Sequence, residues 1–315
     1  MSVSSMLDDF ESRKNVNHDG DQIIVDEAAW YSTWKALIPD DLSPSLIALT
    51  GGLHATAPPW IFISGYQGAI RQVFPEIPKG GWAAFAASED QTDITANPPM
   101  RIVNTDHAQA LQGTKSWVAQ SRHVDHLVVT ALTQSDTLAS VIVNRHRDGV
   151  VLTHRDQPGF LPALSQGFAR LESVSIDEKD LLTTPRTKEF MKNESKFVML
   201  SCAASMFANL THCTDLKPDL PAVLKQEGPT VDTIPELQIK LRALIIKLAT
   251  ACENASLTIT ELAIMDKELQ TSFLSYEKLF DFSQDKTWKS DRKIFSLYSA
   301  GIQKRAAKQL EEKGH

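Results

Sequence analysis

The chain has 315 residues, and its 32 Lys and Arg against 39 Asp and Glu give a formal net charge of −7. An acidic surplus disfavours a surface that neutralises the phosphate backbone of a nucleic acid, so we expect no nucleic-acid partner. Hydrophobic residues make up 42% and charged residues 23% of the chain, which is typical of a packed globular protein and excludes a largely disordered one.

The three cysteines are widely spaced and form no CxxC pair, so the sequence predicts neither a disulfide framework nor a thiolate metal site. The N-terminus lacks the apolar core of a secretory signal, and no apolar stretch reaches the roughly 18 residues of a membrane span. We therefore expect a cytoplasmic protein without a membrane span and without a metal site.

The N-terminal part of the chain predicts short helices. The first 22 residues are polar and acidic, which favours a loosely attached arm. Apolar residues then recur at helical spacing over 26–37, and further helix-like stretches over 46–53 and 64–74 are bounded by Gly or Pro. These features predict a helical region over residues 1–80.

Short runs rich in Val, Ile, Thr and aromatic residues begin at Trp82, and polar turns separate them at a spacing of about ten residues. They include MRIVN, HLVVTAL, ASVIVNRH and GVVLTHR. This spacing is typical of a small antiparallel barrel or sandwich, and we predict a β domain over residues 81–183.

Helical periodicity returns after Thr187 and predicts four helices, over 190–210, 235–252, 259–282 and 288–310. Between the first two lies a segment, 214–235, whose prolines would break a helix, so we expect a loop there. The chain therefore predicts a C-terminal helical domain over 184–315. The order α, β, α places the protein in the α+β class.

The sequence contains three stretches with a recognisable pattern: FPEIPKGGWAAFAASEDQTD, LQGTKSWVAQSRHVDHLVVTA and WKSDRKIFSLYSAGIQKRAAKQL. These stretches resemble characteristic segments of the acyl-CoA dehydrogenase family, and the resemblance covers roughly residues 60–311. It implies the family's fold, with N-terminal helices that are shortened here, a central antiparallel β barrel and a C-terminal helical bundle. It also implies a homodimer or tetramer.

In that family a bound FAD takes a hydride from the β carbon of an acyl thioester while a carboxylate base removes the α proton. The resemblance therefore implies a flavin-dependent oxidoreductase that desaturates an acyl-CoA or acyl-carrier thioester between the α and β carbons. It leaves open a non-catalytic member of the fold that serves as a binding or partner subunit, with weak or no FAD binding.

The resemblance assigns the contacts to the flavin ring to Phe85, Ala87, Ser88, Trp117, Val118 and Ala119. Ser88 keeps a hydroxyl where the family has Thr, whereas Ala119 has none, which would remove a hydrogen bond of roughly 1 kcal/mol. The alternative interpretation of Trp117, taken alone, is an aromatic side chain that packs in the wall of the barrel. The family's phosphate-binding segments have no counterpart in 214–235 or around 284–287, so the resemblance implies a weakened FAD site.

The position of the catalytic base differs from the usual family pattern. In the family's YEGT motif the Glu is the base, but here Tyr298 is followed by Ser299, which cannot act as a base unaided. Some members carry the base on the first helix of the C-terminal domain, and Glu194 corresponds to that position. Glu194 is therefore the candidate catalytic base. The alternative is a solvated glutamate in the first turn of a helix, where acidic residues are favoured.

The segment SRHVDH places His123 and His126 at i, i+3 spacing on either side of Asp125. Such a pair could ligate zinc, but spacing places no third ligand beside it. We expect a solvated turn at this segment.

Overall fold

Helices lie at both ends of the described chain and strands lie between them, as the sequence predicts. The structure is a computed structural model, and it describes residues 2–12, 26–105, 109–156, 158–182, 184–216, 233–254, 256–280 and 286–313. Most of the loop predicted over 214–235 lies outside the described residues, as do residues 284 and 285.

The helices before the sheet are α1 (Val3–Ser12), α2 (Glu27–Leu37), α3 (Pro44–His54) and α4 (Pro58–Val73). The strands are β1 (Trp82–Ala86), β2 (Arg101–Asn104), β3 (Gln109–Ala119), β4 (Val124–Leu132), β5 (Leu138–Asn144), β6 (Val150–His154), β7 (Gln166–Ile176) and β8 (Leu181–Leu182). The helices after the sheet are α5 (Thr187–Leu216), α6 (Ile234–Glu253), α7 (Ile259–Phe280), α8 (Lys286–Asp291) and α9 (Lys293–Lys313).

Local capping explains where several helices begin. The side chain of Asp26 accepts a hydrogen bond from Ala29 N at 2.8 Å and caps α2. Thr233 and Glu236 form a capping box at the start of α6. Helix α4 begins at Pro58, earlier than the predicted start at residue 64, because a proline is compatible with the first helical turn.

The prediction of a loosely attached arm at the N-terminus is wrong for α1. Its apolar residues follow helical spacing, and Leu7 is 0% exposed. Arg242 of α6 donates hydrogen bonds to Asp8 and to Glu11. Apolar burial and these ion pairs together attach α1 to α6.

The strands form one mixed sheet in the order β6-β7-β3-β2-β4-β5-β8, and β1 also pairs with β4. The closed antiparallel barrel is not confirmed, because the sheet is open and two of its pairings are parallel. Strand β1 runs along β4 from Val124 to Val129, and β2 joins β4 at Leu132 in the same direction. Strands β1 and β2 thus pair with successive parts of β4 and run in the same direction as β4.

The described chain consists of two compact units. The sheet unit contains α2 and the strands, and its apolar core includes Leu111, Leu127, Val129 and Val141. The helical unit contains α1, α3, most of α4 and of α5, and α6 to α9. The division into domains at 1–80, 81–183 and 184–315 stays a prediction. Within the described residues, no helix combines the length and the apolar character that a membrane crossing requires.

Helix α5 packs very closely on α3 and α4 in the helical unit. A Cβ at Gly65 of α4 would lie 2.5 Å from Val198 Cα, and one at Gly52 of α3 would lie 2.6 Å from the Ser201 carbonyl oxygen. Ser201 Oγ also donates to the carbonyl of Ile61 at 2.7 Å. The absence of side chains at the two glycines therefore permits the contact that positions α5.

We expect Gly65→Ala to destabilise the protein by about 1–3 kcal/mol, because the new methyl group would overlap the backbone of α5. Gly301→Ala is the matched control. Gly301 is a helical glycine with open space around it, so its substitution should stabilise α9 by about 0.5–1 kcal/mol. Denaturant unfolding of both variants measures the difference, and equal effects on the free energy of unfolding would contradict close packing at Gly65.

Candidate active site

The first segment assigned to the flavin lies at the end of β1. Phe85 is buried in an aromatic cluster, with ring centroids 5.4 Å from Phe74 and 4.7 Å from Phe190. Ala87 is half-buried and Ser88 is exposed, just beyond the strand. The Phe85 side chain is thus part of the core, and this segment can offer its main chain and the Ser88 hydroxyl to a ligand.

A buried lysine holds this segment against the sheet. Lys115 Nζ donates to Glu89 Oε1 at 2.6 Å, to Thr130 Oγ1 at 3.0 Å and to the Ala87 carbonyl at 3.3 Å. The Lys115 side chain is 1% exposed and that of Glu89 is 27% exposed. Burial lowers the pKa of Lys115, while the Glu89 carboxylate acts in the opposite direction. The pair therefore keeps a charge in the sheet and fixes the position of Ala87.

Lys115 and Glu89 are not among the site residues that the sequence predicts, although both lie within the stretches that carry the family resemblance. The sequence feature that could have indicated this pair is a lysine in the middle of the strand-forming run TKSWVA. A buried charge requires a partner of opposite sign. Its partner lies 26 residues earlier in the chain, so spacing alone does not identify it.

The second segment assigned to the flavin lies at a β-bulge. The register between β3 and β7 shifts between Lys115 and Val118, which places an extra residue on β3. Trp117 is half-buried there, and its Nε1 donates to Gln166 Oε1 at 3.3 Å. Ser116 N donates to the Ser88 carbonyl at 2.9 Å. The structure thus brings the two predicted flavin segments together within the sheet unit.

Val118 and Ala119 are fully buried at the end of β3. The Val118 side chain belongs to the apolar core of the sheet, and both residues pair with β7. Their side chains are therefore committed to packing, and any contact with a ligand would use the main chain.

The candidate base lies in the helical unit, beyond the first turn of α5. Glu194 is half-buried there, and Tyr298 of α9 affects its pKa. Burial raises the pKa of Glu194 to about 7, and the Tyr298 hydrogen bond opposes this rise. Glu194 lies beyond the first turn of α5 and is half-buried, which differs from the solvated first-turn glutamate of the alternative interpretation.

Ser299 stands where the resemblance places the family's usual base. Its hydroxyl donates to Asp266 Oδ2 of α7 at 2.8 Å. Ser299 is therefore engaged by a buried carboxylate, whereas burial raises the pKa of Glu194, another residue of the helical unit, to about 7.

The turn SRHVDH is not the solvated turn that the sequence predicts. Asp125 Oδ2 accepts hydrogen bonds from the Tyr31 hydroxyl and from Trp82 N, each at 2.7 Å. His123 Nδ1 lies 2.9 Å from Glu27 Oε1. Both partners on α2 precede the turn by more than 90 residues, so local spacing does not reveal them. The turn attaches α2 to the sheet, and the described residues contain no cluster of ligands suited to a metal ion.

Comparison with known proteins identifies the fold. No protein-family model matches the sequence, and no curated protein matches it. A solved FAD-dependent dehydrogenase matches with a TM-score of 0.64 and 14% identity, over 99% of this chain and 99% of that one. The prolyl acyl carrier protein oxidase AnaB matches with a TM-score of 0.63 and 13% identity, over 98% and 99%. A glutaryl-coenzyme A dehydrogenase in complex with glutaryl-CoA matches with a TM-score of 0.56 and 14% identity, over 96% and 91%.

These matches show that the chain has the acyl-CoA dehydrogenase fold, which confirms the resemblance at the level of fold. The identities are low, so the fold is the property that the chain shares with these structures. The role of each site residue therefore depends on the chemistry of this chain.

We expect Glu89→Gln to destabilise the protein by about 3 kcal/mol at neutral pH, because it leaves the buried Lys115 ammonium without a counter-charge. Asp136→Asn is the control, since it breaks the exposed pair between Arg101 and Asp136 and should cost less than about 1 kcal/mol. Urea unfolding of both variants provides the comparison. An equal, small loss in both would contradict a structural role for the buried pair.

Proposed function

We propose that this protein is a flavin-dependent oxidoreductase that removes hydrogen from the α and β carbons of an acyl thioester. The observation that carries the proposal is the half-buried Glu194 beyond the first turn of α5, where burial raises the pKa of its carboxyl group to about 7. A general base is most effective when its pKa lies near the working pH, because it is then both ionised and sufficiently basic. The fold shared with FAD-dependent dehydrogenases supports the proposal.

The residues of the sheet unit fit a flavin ring. Trp117 presents a half-buried aromatic side chain at the bulge. The neighbouring Ser116 donates its backbone N–H to the carbonyl of the exposed Ser88. The residues that would hold the ring are Phe85, Ala87, Ser88, Trp117, Val118 and Ala119, several of them through the main chain. FAD supplies the hydride acceptor when it is bound.

The chain's own chemistry in this proposal is a proton transfer. Glu194 in its ionised form accepts the proton from the α carbon of the thioester. The Tyr298 hydroxyl stabilises the ionised form, because its hydrogen bond lowers the pKa that burial raises. The substrate is an acyl-CoA or an acyl-carrier thioester, and we expect a homodimer or tetramer as the working form.

A second candidate function is a non-catalytic binding or partner subunit with weak or no FAD binding. Ala119 favours it, because a methyl group replaces the hydroxyl that would bind the flavin edge in the related family. Val118 and Phe85 also direct their side chains into the core. The two functions differ in whether the purified protein takes up FAD.

The experiment is to incubate the purified full-length chain with FAD, remove the excess, and add acyl-CoA thioesters of several lengths without oxygen. We expect a bound flavin whose visible absorption band is bleached by at least one thioester. In Glu194→Gln the flavin should bind as before while bleaching slows at least about 100-fold, because the base is lost. Glu189→Gln, an exposed glutamate in the first turn of the same helix, should bleach like the unmodified protein.

Failure to take up FAD would overturn the enzymatic proposal and leave the partner-subunit function. Flavin uptake followed by equal bleaching in Glu194→Gln and in the unmodified protein would contradict only the role of Glu194 as the base. The flavin-dependent function itself would stand.

A further inference from the structure

A buried glutamine side chain links the indole of Trp117 to the chain that precedes β7. Gln166 is 2% exposed. Its Oε1 accepts a hydrogen bond from Trp117 Nε1 at 3.3 Å, and its Nε2 donates one to the carbonyl of Phe160 at 2.6 Å. An indole nitrogen can only donate and a carbonyl can only accept, so these two partners determine which way the amide is turned. The amide therefore connects Trp117 to Phe160 in one orientation.

The backbone of Gln166 has a fixed place in the sheet. Gln166 begins β7 and pairs with Ala119 of β3, and its carbonyl accepts a hydrogen bond from Arg155 N at 2.7 Å. The next residue, Gly167, lies so close to β6 that a Cβ there would overlap the carbonyl of Thr153. Contacts with both neighbouring strands thus hold the start of β7, and the Gln166 side chain extends from a fixed point.

Trp117 is placed differently, because it lies at the bulge in β3, where the pairing with β7 is interrupted. Its side chain is half-buried, so packing surrounds only part of the indole. The N–H is the only hydrogen-bonding group of a tryptophan side chain, and here Gln166 accepts it. This bond therefore selects one rotation of the ring among those that a half-buried indole could adopt.

Arg155 forms a second link to the bulge, through the main chain. Its Nη2 donates to the carbonyl of Ser116 at 3.0 Å, and its Cζ lies 4.5 Å from the centroid of the Phe168 ring. Ser116 directly precedes Trp117. Arg155 thus holds the backbone beside Trp117, whereas Gln166 holds the Trp117 side chain.

We propose that Gln166 is a positioning residue, which keeps the indole of Trp117 in the orientation that covers the flavin ring. The inference rests on the proposed function, in which Trp117 contacts the flavin. Gln166 acts through Trp117 and touches neither flavin nor thioester in this role. A ring that is already oriented raises the affinity for its ligand, because the free protein then spends most of its time in the competent state.

The first measurement follows the Trp117 indole in the full chain labelled with ¹⁵N-tryptophan, without FAD. Trp117→Phe assigns its resonance among those of the six tryptophans. In the unmodified protein the Nε1 hydrogen should exchange with water more slowly than that of free tryptophan, because it is hydrogen-bonded. Gln166→Met replaces the amide by an apolar side chain of similar length, so the resonance should move and the exchange should accelerate.

The second measurement is the Kd of FAD. Gln166→Met should weaken binding about fivefold, which is the change in population that the loss of one hydrogen bond produces. The double variant Gln166→Met/Trp117→Phe should bind FAD as Trp117→Phe does, because the phenylalanine ring offers no N–H for Gln166 to hold.

Gln238→Met is the matched control in the helical unit. Gln238 Nε2 donates to Thr211 Oγ1 at 3.2 Å, so this substitution also replaces a hydrogen-bonded amide by an apolar side chain. It should leave both the Trp117 resonance and the Kd of FAD unchanged.

An unchanged Kd in Gln166→Met would overturn the proposal, as would an equal weakening by that substitution with and without Trp117. Should Gln166→Met fail to fold, the exchange measurement on the unmodified protein decides, since exchange at the rate of free tryptophan would also overturn it. Failure of the unmodified protein to take up FAD would overturn the proposed function and this role with it. Uptake with an unchanged Kd in Gln166→Met would overturn the role of Gln166 alone.

Discussion

Partial burial of Glu194 is the constraint that gives the helical unit its chemical character. The close contacts of α5 with the glycine-containing surfaces of α3 and α4 accompany the burial of residues 195–208, directly after Glu194. A carboxyl group in such surroundings loses hydration, which raises its pKa. The hydroxyl of Tyr298 restores part of the stabilisation of the ionised form, so the pKa of Glu194 lies near neutrality rather than far above it.

A second desolvated charge organises the sheet unit. Lys115 lies inside the sheet and is stable there because Glu89, Thr130 and the Ala87 carbonyl accept its hydrogen bonds. The same contacts fix the chain just beyond β1, next to the bulge that carries Trp117. In the sheet unit a buried charged group and its partners therefore position residues to which we assign a role in chemistry.

Much of the fold could be predicted from the sequence, because local periodicity decides helices and strands. Helix α2 was predicted almost to its boundaries, since a capping Asp26 precedes it and Pro39 follows it. The open mixed sheet could not be predicted in this way, because parallel pairing of β1 and β2 with β4 depends on residues far apart in the chain. The α1 helix was missed because its short apolar face gains its stability from contacts with the distant α6.

The candidate site shows the same division. Glu194, Ser88 and Trp117 could be selected because the sequence resembles a family with known chemistry at those positions. The groups that affect their properties could not, since Tyr298, which affects the pKa of Glu194, lies about a hundred residues after it in the chain. A single sequence contains no spacing that connects these groups.

Proton exchange tests most directly whether Glu194 removes the α proton of an acyl thioester. In deuterated water, the FAD-loaded protein should exchange the α hydrogens of a thioester that resists oxidation. The exchange rate should rise with pH through about 7, because Glu194 must lose its proton to act as a base. The Glu194→Gln variant should show no exchange above the uncatalysed rate, whereas exchange that persists in this variant would contradict the account.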